Sequence, residues 1–81
     1  MRGQQRRVLS IAGSDPSGGA GIQVDLKVFQ CLGAFGMAVP AALTVQNSRG
    51  VAAAYSVEPR VFSEQLRSLL ADIRPDDVKT G

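Results

Sequence analysis

A short apolar run that feeds into a glycine-rich loop is the feature that most constrains the fold of this chain. The run covers Val8 to Ala12, and the loop that follows it reads Gly13-Ser14-Asp15-Pro16-Ser17-Gly18-Gly19-Ala20-Gly21. An amphipathic segment leaves the loop and extends to about Leu32, where Gly33 is placed to end a helix, because glycine adopts the left-handed conformation cheaply. A buried strand, a flexible loop and a helix in this order are typical of a parallel α/β sheet.

The backbone of this loop predicts a place where an anion or a polar small molecule binds. Its N–H groups lie beside a helix N-terminus, where unpaired amides and the helix dipole both favour negative charge. The loop is not a P-loop, because Gly19-Ala20 stand where that motif has lysine followed by serine or threonine. It is not the dinucleotide fingerprint either, because Val24 stands where the third glycine or alanine belongs. Glycines that only shape a turn remain the alternative.

The segments after the first helix continue the alternation of strands and helices. Met37 to Val45 indicates a second buried strand, in which Pro40 implies an edge position or a bulge. A turn at Asn47 to Gly50 and a weaker extended segment from Val51 to Val57 follow. Pro59 suits the first position of a second helix, which we expect to end at about Ile73.

The second helix has an apolar face at spacings of three and four, formed by Val61, Phe62, Leu66, Leu69, Leu70 and Ile73. Val78 to Thr80 then reads as the start of another strand. We expect an α/β fold, a mostly parallel sheet flanked by helices, truncated after about three strands and two helices. So small a sheet leaves its edges open, which predicts that residue 81 lies within a larger domain.

Asp25 is the unexpected residue of the first helix. At roughly 100° per residue it lies near the centre of the face that packs on the sheet. Apolar residues surround its direction, namely Ile22, Leu26, Phe29 and Leu32, with Val28 and Gly33 at the border. The opposite, solvent side holds Gln23, Lys27 and Gln30. A buried ionised carboxylate is costly unless it is paired or hydrogen-bonded. We therefore expect either an acid satisfied by nearby backbone N–H groups or a carboxylate that faces a ligand pocket.

The end of the second strand predicts the other half of such a pocket, since ligands of open α/β sheets bind beyond the carboxyl ends of the strands. Thr44 and Gln46 share one face by alternation, so we expect the Gln46 amide to meet Asp25 over one crevice. An amide offers a donor and an acceptor, which suits a heteroaromatic base with an amino group beside a ring nitrogen. Asn47 is expected to serve the turn. Lys79 is expected at a solvated strand end, with a phosphate contact as the alternative.

The size and charge of the chain exclude several classes of function. Its 81 residues form one domain at most, and its net charge of +2 is carried by Arg2, Arg6 and Arg7. We expect residues 1–7 to be a solvated extension and residues 8–81 to be the N-terminal part of a single domain. With no tryptophan and one tyrosine, there is no basic stripe interleaved with aromatic residues, so no nucleic-acid partner is expected.

The apolar stretch from Met37 to Val45 is too short to span a bilayer, and no leader segment opens the chain, so we expect no membrane partner. The single Cys31 forms no internal disulfide, which fits a cytoplasmic location, and we expect it to be structural. The chain has no histidine, which removes His-based triads and most zinc sites.

Several of these residues resemble one family. The run from Ser10 to Lys27 is similar to the opening of hydroxymethylpyrimidine/phosphomethylpyrimidine kinases, which belong to thiamine biosynthesis and have a ribokinase-like fold. The segments Ala42 to Ser48 and Arg49 to Val51 match the same family in order and spacing. Val78-Lys79-Thr80-Gly81 matches as well, although the family usually has isoleucine where Thr80 stands.

The resemblance implies ATP- and Mg²⁺-dependent phosphorylation of 4-amino-5-hydroxymethyl-2-methylpyrimidine and then of its monophosphate, by a homodimer. Five residues would line the pyrimidine pocket, namely Gly13, Ala20, Asp25, Thr44 and Gln46. Thr44 replaces what is often valine, so its contact is expected through backbone or methyl. The catalytic base, the anion hole and most of the nucleotide site are expected after Gly81, so no catalytic residue and no metal ligand are expected in this segment. Pyridoxal kinase of the same superfamily and a non-catalytic pyrimidine-binding module are the alternatives.

Overall fold

The computed structural model describes residues 5–81 of the chain. Six elements follow one another, namely β1 (Arg7–Ser14), α1 (Gly21–Cys31), β2 (Phe35–Asn47), β3 (Gly50–Ser56), α2 (Pro59–Asp72) and β4 (Asp77–Thr80). The α/β class is confirmed, with four strands where about three were expected. Both helices begin at the expected residue, and Gly33 follows α1 in the left-handed conformation at φ +77°. Among residues 5–81, neither helix is long and apolar enough to cross a membrane.

The four strands form one mixed sheet in the order β3-β2-β1-β4. β1 pairs in parallel with both β2 and β4, whereas β2 and β3 form an antiparallel hairpin. Because β1 is central, its carboxyl end and the loop that leaves it lie between the ends of two parallel neighbours. This is the edge of an open α/β sheet at which ligands bind.

The two helices cover opposite faces of the sheet. Leu9, Met37 and Val39 are buried, and the half-buried residues packed against them include Phe62 and Leu66 of α2. The other face meets α1, since a Cβ added to Gly36 would lie 3.1 Å from side-chain atoms of Leu26 and Phe29. Not all of the predicted apolar faces are buried: Leu32 and Val28 near the end of α1, and Val61 and Leu70 on α2, are exposed.

An extra residue in β2 reverses the facing of its second half. Ala12 pairs with Pro40 but Gly13 pairs with Ala42, so Ala41 is a bulge, which confirms one of the two readings of Pro40. The edge reading holds only in part, because β3 pairs with β2 from Ala42 onward. Before the bulge the more buried positions are odd-numbered, and after it they are even-numbered. Residues after Ala41 therefore face the opposite side from the one that simple alternation predicts.

The first arginines of the described chain belong to the sheet. Arg7 is the first residue of β1, and the Arg6 carbonyl accepts a hydrogen bond of 2.7 Å from the Phe35 N–H. The Arg6 guanidinium forms a two-point ion pair with Asp77 on β4, which lowers the pKa of Asp77, first through the hydrogen bond itself. Arg7 is thus part of β1, whereas the Arg6 side chain is 66% exposed although it is paired. Residues 1–4 lie outside the described residues, and the extension stays a prediction.

Candidate functional site

The loop between β1 and α1 is closed around its own carboxylate. Asp15 is buried, and its side chain accepts hydrogen bonds from the Ser17 N–H at 2.9 Å, the Ser17 hydroxyl at 2.6 Å and the Gly19 N–H at 3.0 Å. The Gly18 N–H donates to the Asp15 carbonyl at 3.0 Å. The hydrogen bonds to its carboxylate lower the pKa of Asp15, that from the Ser17 hydroxyl most strongly. The expectation of free amides is wrong for Ser17 to Gly19, whose N–H groups are already bound.

Two side chains of α1 form hydrogen bonds with the loop between β1 and α1. Gln23 accepts from the Asp15 N–H at 2.8 Å and donates from Nε2 to the Ser14 hydroxyl at 2.8 Å. Lys27 donates from Nζ to the Gly18 carbonyl at 2.9 Å. The helix wheel placed both on the solvent side. Lys27 is exposed, as predicted, although its ammonium group also reaches the loop. Gln23 is half-buried, because the loop folds back over the start of the helix.

Asp25 faces the sheet, as the helix wheel predicts, and is only 6% exposed. The Ser10 hydroxyl of β1 donates to Oδ2 at 2.7 Å, and Lys79 of β4 donates from Nζ to Oδ1 at 2.9 Å and to Oδ2 at 3.0 Å. The Ser10 hydrogen bond is the largest cause that lowers the pKa of Asp25; Lys79 lowers it further and burial opposes both. Side chains, not backbone N–H groups, therefore satisfy this carboxylate. Lys79 lies near the end of β4 and is half exposed, as expected, but its ammonium group is also paired with Asp25, which was not expected.

Thr44 and Gln46 lie together at the end of β2. The Thr44 hydroxyl lies 2.8 Å from the Ser14 carbonyl oxygen and 2.9 Å from Gln46 Oε1, and with one proton it donates to one of them at a time. Its proton is thus committed to the protein, so a ligand can meet the methyl group, the backbone or the free lone pairs of the hydroxyl oxygen. Asn47 serves the turn, as expected, since its Oδ1 accepts from the Arg49 N–H at 2.9 Å.

The two halves of the expected pocket approach the sheet from different sides. Asp25 lies on the α1 face, and the register after the Ala41 bulge places Thr44 and Gln46 on the other face. The hydrogen-bond partners of Asp25 are on β1 and β4, whereas those of Gln46 are on β2. A ligand that contacts both has to lie across the carboxyl end of β1. Their joint contact with one ligand stays a prediction.

The remaining predicted site residues frame this edge. Gly13 lies in β1 just before the loop, and Ala20 is the extended residue that precedes α1. Gly21 has φ +63°, and a Cβ there would lie 2.1 Å from the Gly13 carbonyl oxygen, so the loop and β1 are in close contact. Among residues 5–81, no group of three or more acidic, cysteine or histidine side chains is placed to hold a metal ion.

Comparison with known proteins identifies the family. The sequence model described as phosphomethylpyrimidine kinase matches residues 15–81. This chain belongs to the phosphomethylpyrimidine kinase family. It is 55% identical over 73 residues to the hydroxymethylpyrimidine/phosphomethylpyrimidine kinase of Escherichia coli K12, a match that covers 90% of this chain and 27% of that enzyme.

Solved structures of kinases share the fold. The phosphomethylpyrimidine kinase of Clostridium difficile 630 superposes with a TM-score of 0.89 at 45% identity, over 95% of this chain and 33% of that one. The pyridoxal kinase of Staphylococcus aureus in complex with AMP-PCP and pyridoxal gives 0.84 at 41% identity, over 95% of this chain and 29% of that one. The chain therefore spans between a quarter and a third of the length of these family members and neighbours.

Sequence reasoning assigns no site role to Ser10 or Gln23, which both bond within this region. The available signal for Ser10 is a serine within an apolar strand that precedes a helix with a buried acid. The helix wheel gives no signal for Gln23, because its contact depends on the path of the loop.

Proposed function

We propose that the protein encoded by the complete gene transfers the γ-phosphoryl group of ATP to 4-amino-5-hydroxymethyl-2-methylpyrimidine and to its monophosphate, in thiamine biosynthesis. Residues 8–81 supply the pyrimidine-binding part of one ribokinase-like domain. The observation that carries this proposal is the family match over residues 15–81, together with 55% identity to an enzyme of that name. The site described above supports it, because it lies where a small polar ligand binds in an open α/β sheet.

In this proposal each site residue has one task. Gln46 presents an amide donor and acceptor to the ring nitrogen and the amino group of the pyrimidine. Asp25 accepts a hydrogen bond from a ligand donor. Gly13 and Ala20 let the backbone approach the ring closely, and Thr44 contacts it through its methyl group. Phosphoryl transfer depends on such positioning and on charge stabilisation at the phosphates.

We propose that ATP and Mg²⁺ are held mostly by residues outside this segment, as the family resemblance implies, and that the segment by itself has no kinase activity. The complex of the S. aureus neighbour with an ATP analogue supports ATP as the phosphoryl donor. We further propose that the protein is cytoplasmic and forms a homodimer, as the family resemblance implies.

A substrate comparison with the protein from the complete gene tests the function. ATP-dependent formation of ADP is measured with the hydroxymethylpyrimidine, its monophosphate and pyridoxal, each over a concentration series. We expect kcat/KM to be highest for the pyrimidines. Pyridoxal kinase is the second candidate, favoured by the 41% identity to the S. aureus enzyme, and a higher kcat/KM for pyridoxal would establish it instead. Binding of the pyrimidine without turnover would indicate a non-catalytic binding module.

A further inference from the structure

Three side chains from three elements converge beneath the loop. Ser10 and Lys79 are direct cross-strand partners on β1 and β4, so their side chains leave the sheet on the same face. The Asp25 carboxylate, on the sheet-facing side of α1, accepts hydrogen bonds from both. This cluster ties the first helix to the fourth strand across the central strand.

The contacts leave the carboxylate with one free acceptor position. An ionised carboxylate has about four lone-pair sites. Oδ2 receives Ser10 and Lys79, and Oδ1 receives Lys79, so one site remains on Oδ1. The side chain of Asp25 is 8% exposed and that of Lys79 is 51% exposed, so the cluster is open to its surroundings mainly on the lysine side.

Lys79 is the charge that compensates Asp25 within the described residues. β2 has no titratable side chain, and the ionisable groups of the other neighbouring elements have partners of their own or lie elsewhere. Arg7 of β1 pairs with Asp76, and Asp77 of β4 pairs with Arg6. In the loop, Asp15 accepts hydrogen bonds from Ser17 and Gly19. On α1, Lys27 donates to the Gly18 carbonyl, and Cys31 is exposed at the end of the helix.

We propose that Lys79 is a positioning residue for the ligand site: its ammonium group holds the Asp25 carboxylate ionised and fixed in orientation, so that Oδ1 accepts a hydrogen bond from a ligand amino group. This inference rests on the proposed function. Without the cation, a buried carboxylate protonates more readily because burial disfavours its charged form. A protonated Asp25 loses acceptor capacity and presents a donor to the ligand, which repels an amino group.

The sign of the pH dependence follows from the contacts. Ser10 and Lys79 lower the pKa of Asp25, so in the native protein the acceptor form persists well into the acid range and is lost only as the pH falls through the lowered value. Removing Lys79 leaves the Ser10 bond, which is the largest cause, opposed by burial, so the pKa of Asp25 rises toward its ordinary value. Affinity for the pyrimidine is then lost at a higher pH than in the native protein.

The experiment measures calorimetric affinity for the hydroxymethylpyrimidine from pH 7 down to about pH 3.5, a range that reaches the ordinary carboxyl pKa, using the protein from the complete gene. Lys79→Met and Lys79→Gln remove the charge, Lys79→Arg keeps it, and Arg67→Met removes an exposed cation of α2 as a matched control. Because every variant meets the same pyrimidine, protonation of the ligand cancels in the ratio of native to variant affinity. As the pH falls, the ratio of native to variant affinity is expected to grow by up to about tenfold per pH unit for Lys79→Met and Lys79→Gln. The ratio should not change with pH for Lys79→Arg and Arg67→Met.

A ratio that does not change with pH in the charge-removing variants would overturn the inference, even if both were less stable in urea, since Lys79 would then act on the fold alone. Lys79→Arg behaving like Lys79→Met would overturn it too. If the native protein binds no pyrimidine, the proposed function fails, and a carbon-13 titration of the Asp25 carboxyl decides the inference alone. A higher midpoint in Lys79→Met but not in Lys79→Arg supports it, and equal midpoints reject it.

Discussion

Gln46 is the residue on which the proposed ligand assignment depends most, because its amide is the group that the proposal assigns to the recognition of an aminopyrimidine. Its Oε1 lies within 2.9 Å of the Thr44 hydroxyl, a contact that fixes the plane of the amide at the end of β2. Three residues, Asn47, Ser48 and Arg49, separate Gln46 from the start of β3. Asn47, the next residue, bonds within this turn, so the two neighbouring amides can be tested against each other.

Gln46→Ala in the protein from the complete gene is expected to weaken binding of the hydroxymethylpyrimidine by about 1–3 kcal/mol, because a polar group of the ligand is left unpaired in the site. Calorimetry measures this loss, and urea unfolding without ligand should change little. Asn47→Ala is the matched control, since it removes an amide whose oxygen accepts from the Arg49 N–H of the turn. Equal affinities in the two variants would contradict the assignment of Gln46.

The burial of single residues is predictable from sequence only where it depends on residues close by in the chain. Burial of Asp25 follows from its position among Ile22, Leu26 and Phe29 on one helix, which a sequence displays directly. Its partner Lys79 is 54 positions away, and only the parallel pairing of β4 with β1 brings the two together. The same distinction explains Asp15, whose burial depends on the path of a loop that no periodicity describes.

At the scale of elements, the boundaries were predictable because they carry local signals. Pro59 begins α2 and Gly33 follows α1, each for a backbone reason that acts within a few residues. The facing of β2 was not predictable to the same extent. Pro40 signalled a bulge, but the position of the extra residue at Ala41, and hence the face of Thr44 and Gln46, depends on how two strands pair.

The junction of β1 and α1 depends on the absence of a side chain at Gly21, and a pair of glycines tests this. Gly21 and Gly33 have similar φ angles, +63° and +77°, but a Cβ at Gly33 meets no atom within 4 Å. Gly33→Ala is expected to cost about 1–2 kcal/mol from backbone strain alone. Gly21→Ala adds a clash with the Gly13 carbonyl and is expected to cost about 3 kcal/mol or more.

Urea unfolding of the protein from the complete gene measures both variants. The substitutions are chemically identical and both fall at positive φ, so the difference between them isolates the contact with β1. Indistinguishable free energies of unfolding would mean that the loop relaxes away from Gly13 at little cost, and that the close approach does not shape the site.

The molecule as a whole exposes an apolar surface on its antiparallel hairpin. Leu43 pairs directly with Tyr55, and Val45 lies two residues further along the same face of β2. These three side chains are 55%, 63% and 52% exposed, and β3 is an edge strand among the described residues. Contiguous apolar patches and open strand edges both favour association of chains.

The 81-residue chain alone is therefore expected to associate increasingly with concentration, as measured by sedimentation velocity. The double variant Leu43→Lys with Tyr55→Lys should shift the chain toward the monomer, because two charges on this face oppose its burial. Gln65→Lys with Ser68→Lys adds lysines at exposed positions of α2 and is matched in number, so it separates the effect of the hairpin from that of added positive charge. Equal sedimentation of the two double variants would show that the hairpin face does not drive association, and that its apolar side chains are tolerated in water as isolated residues are.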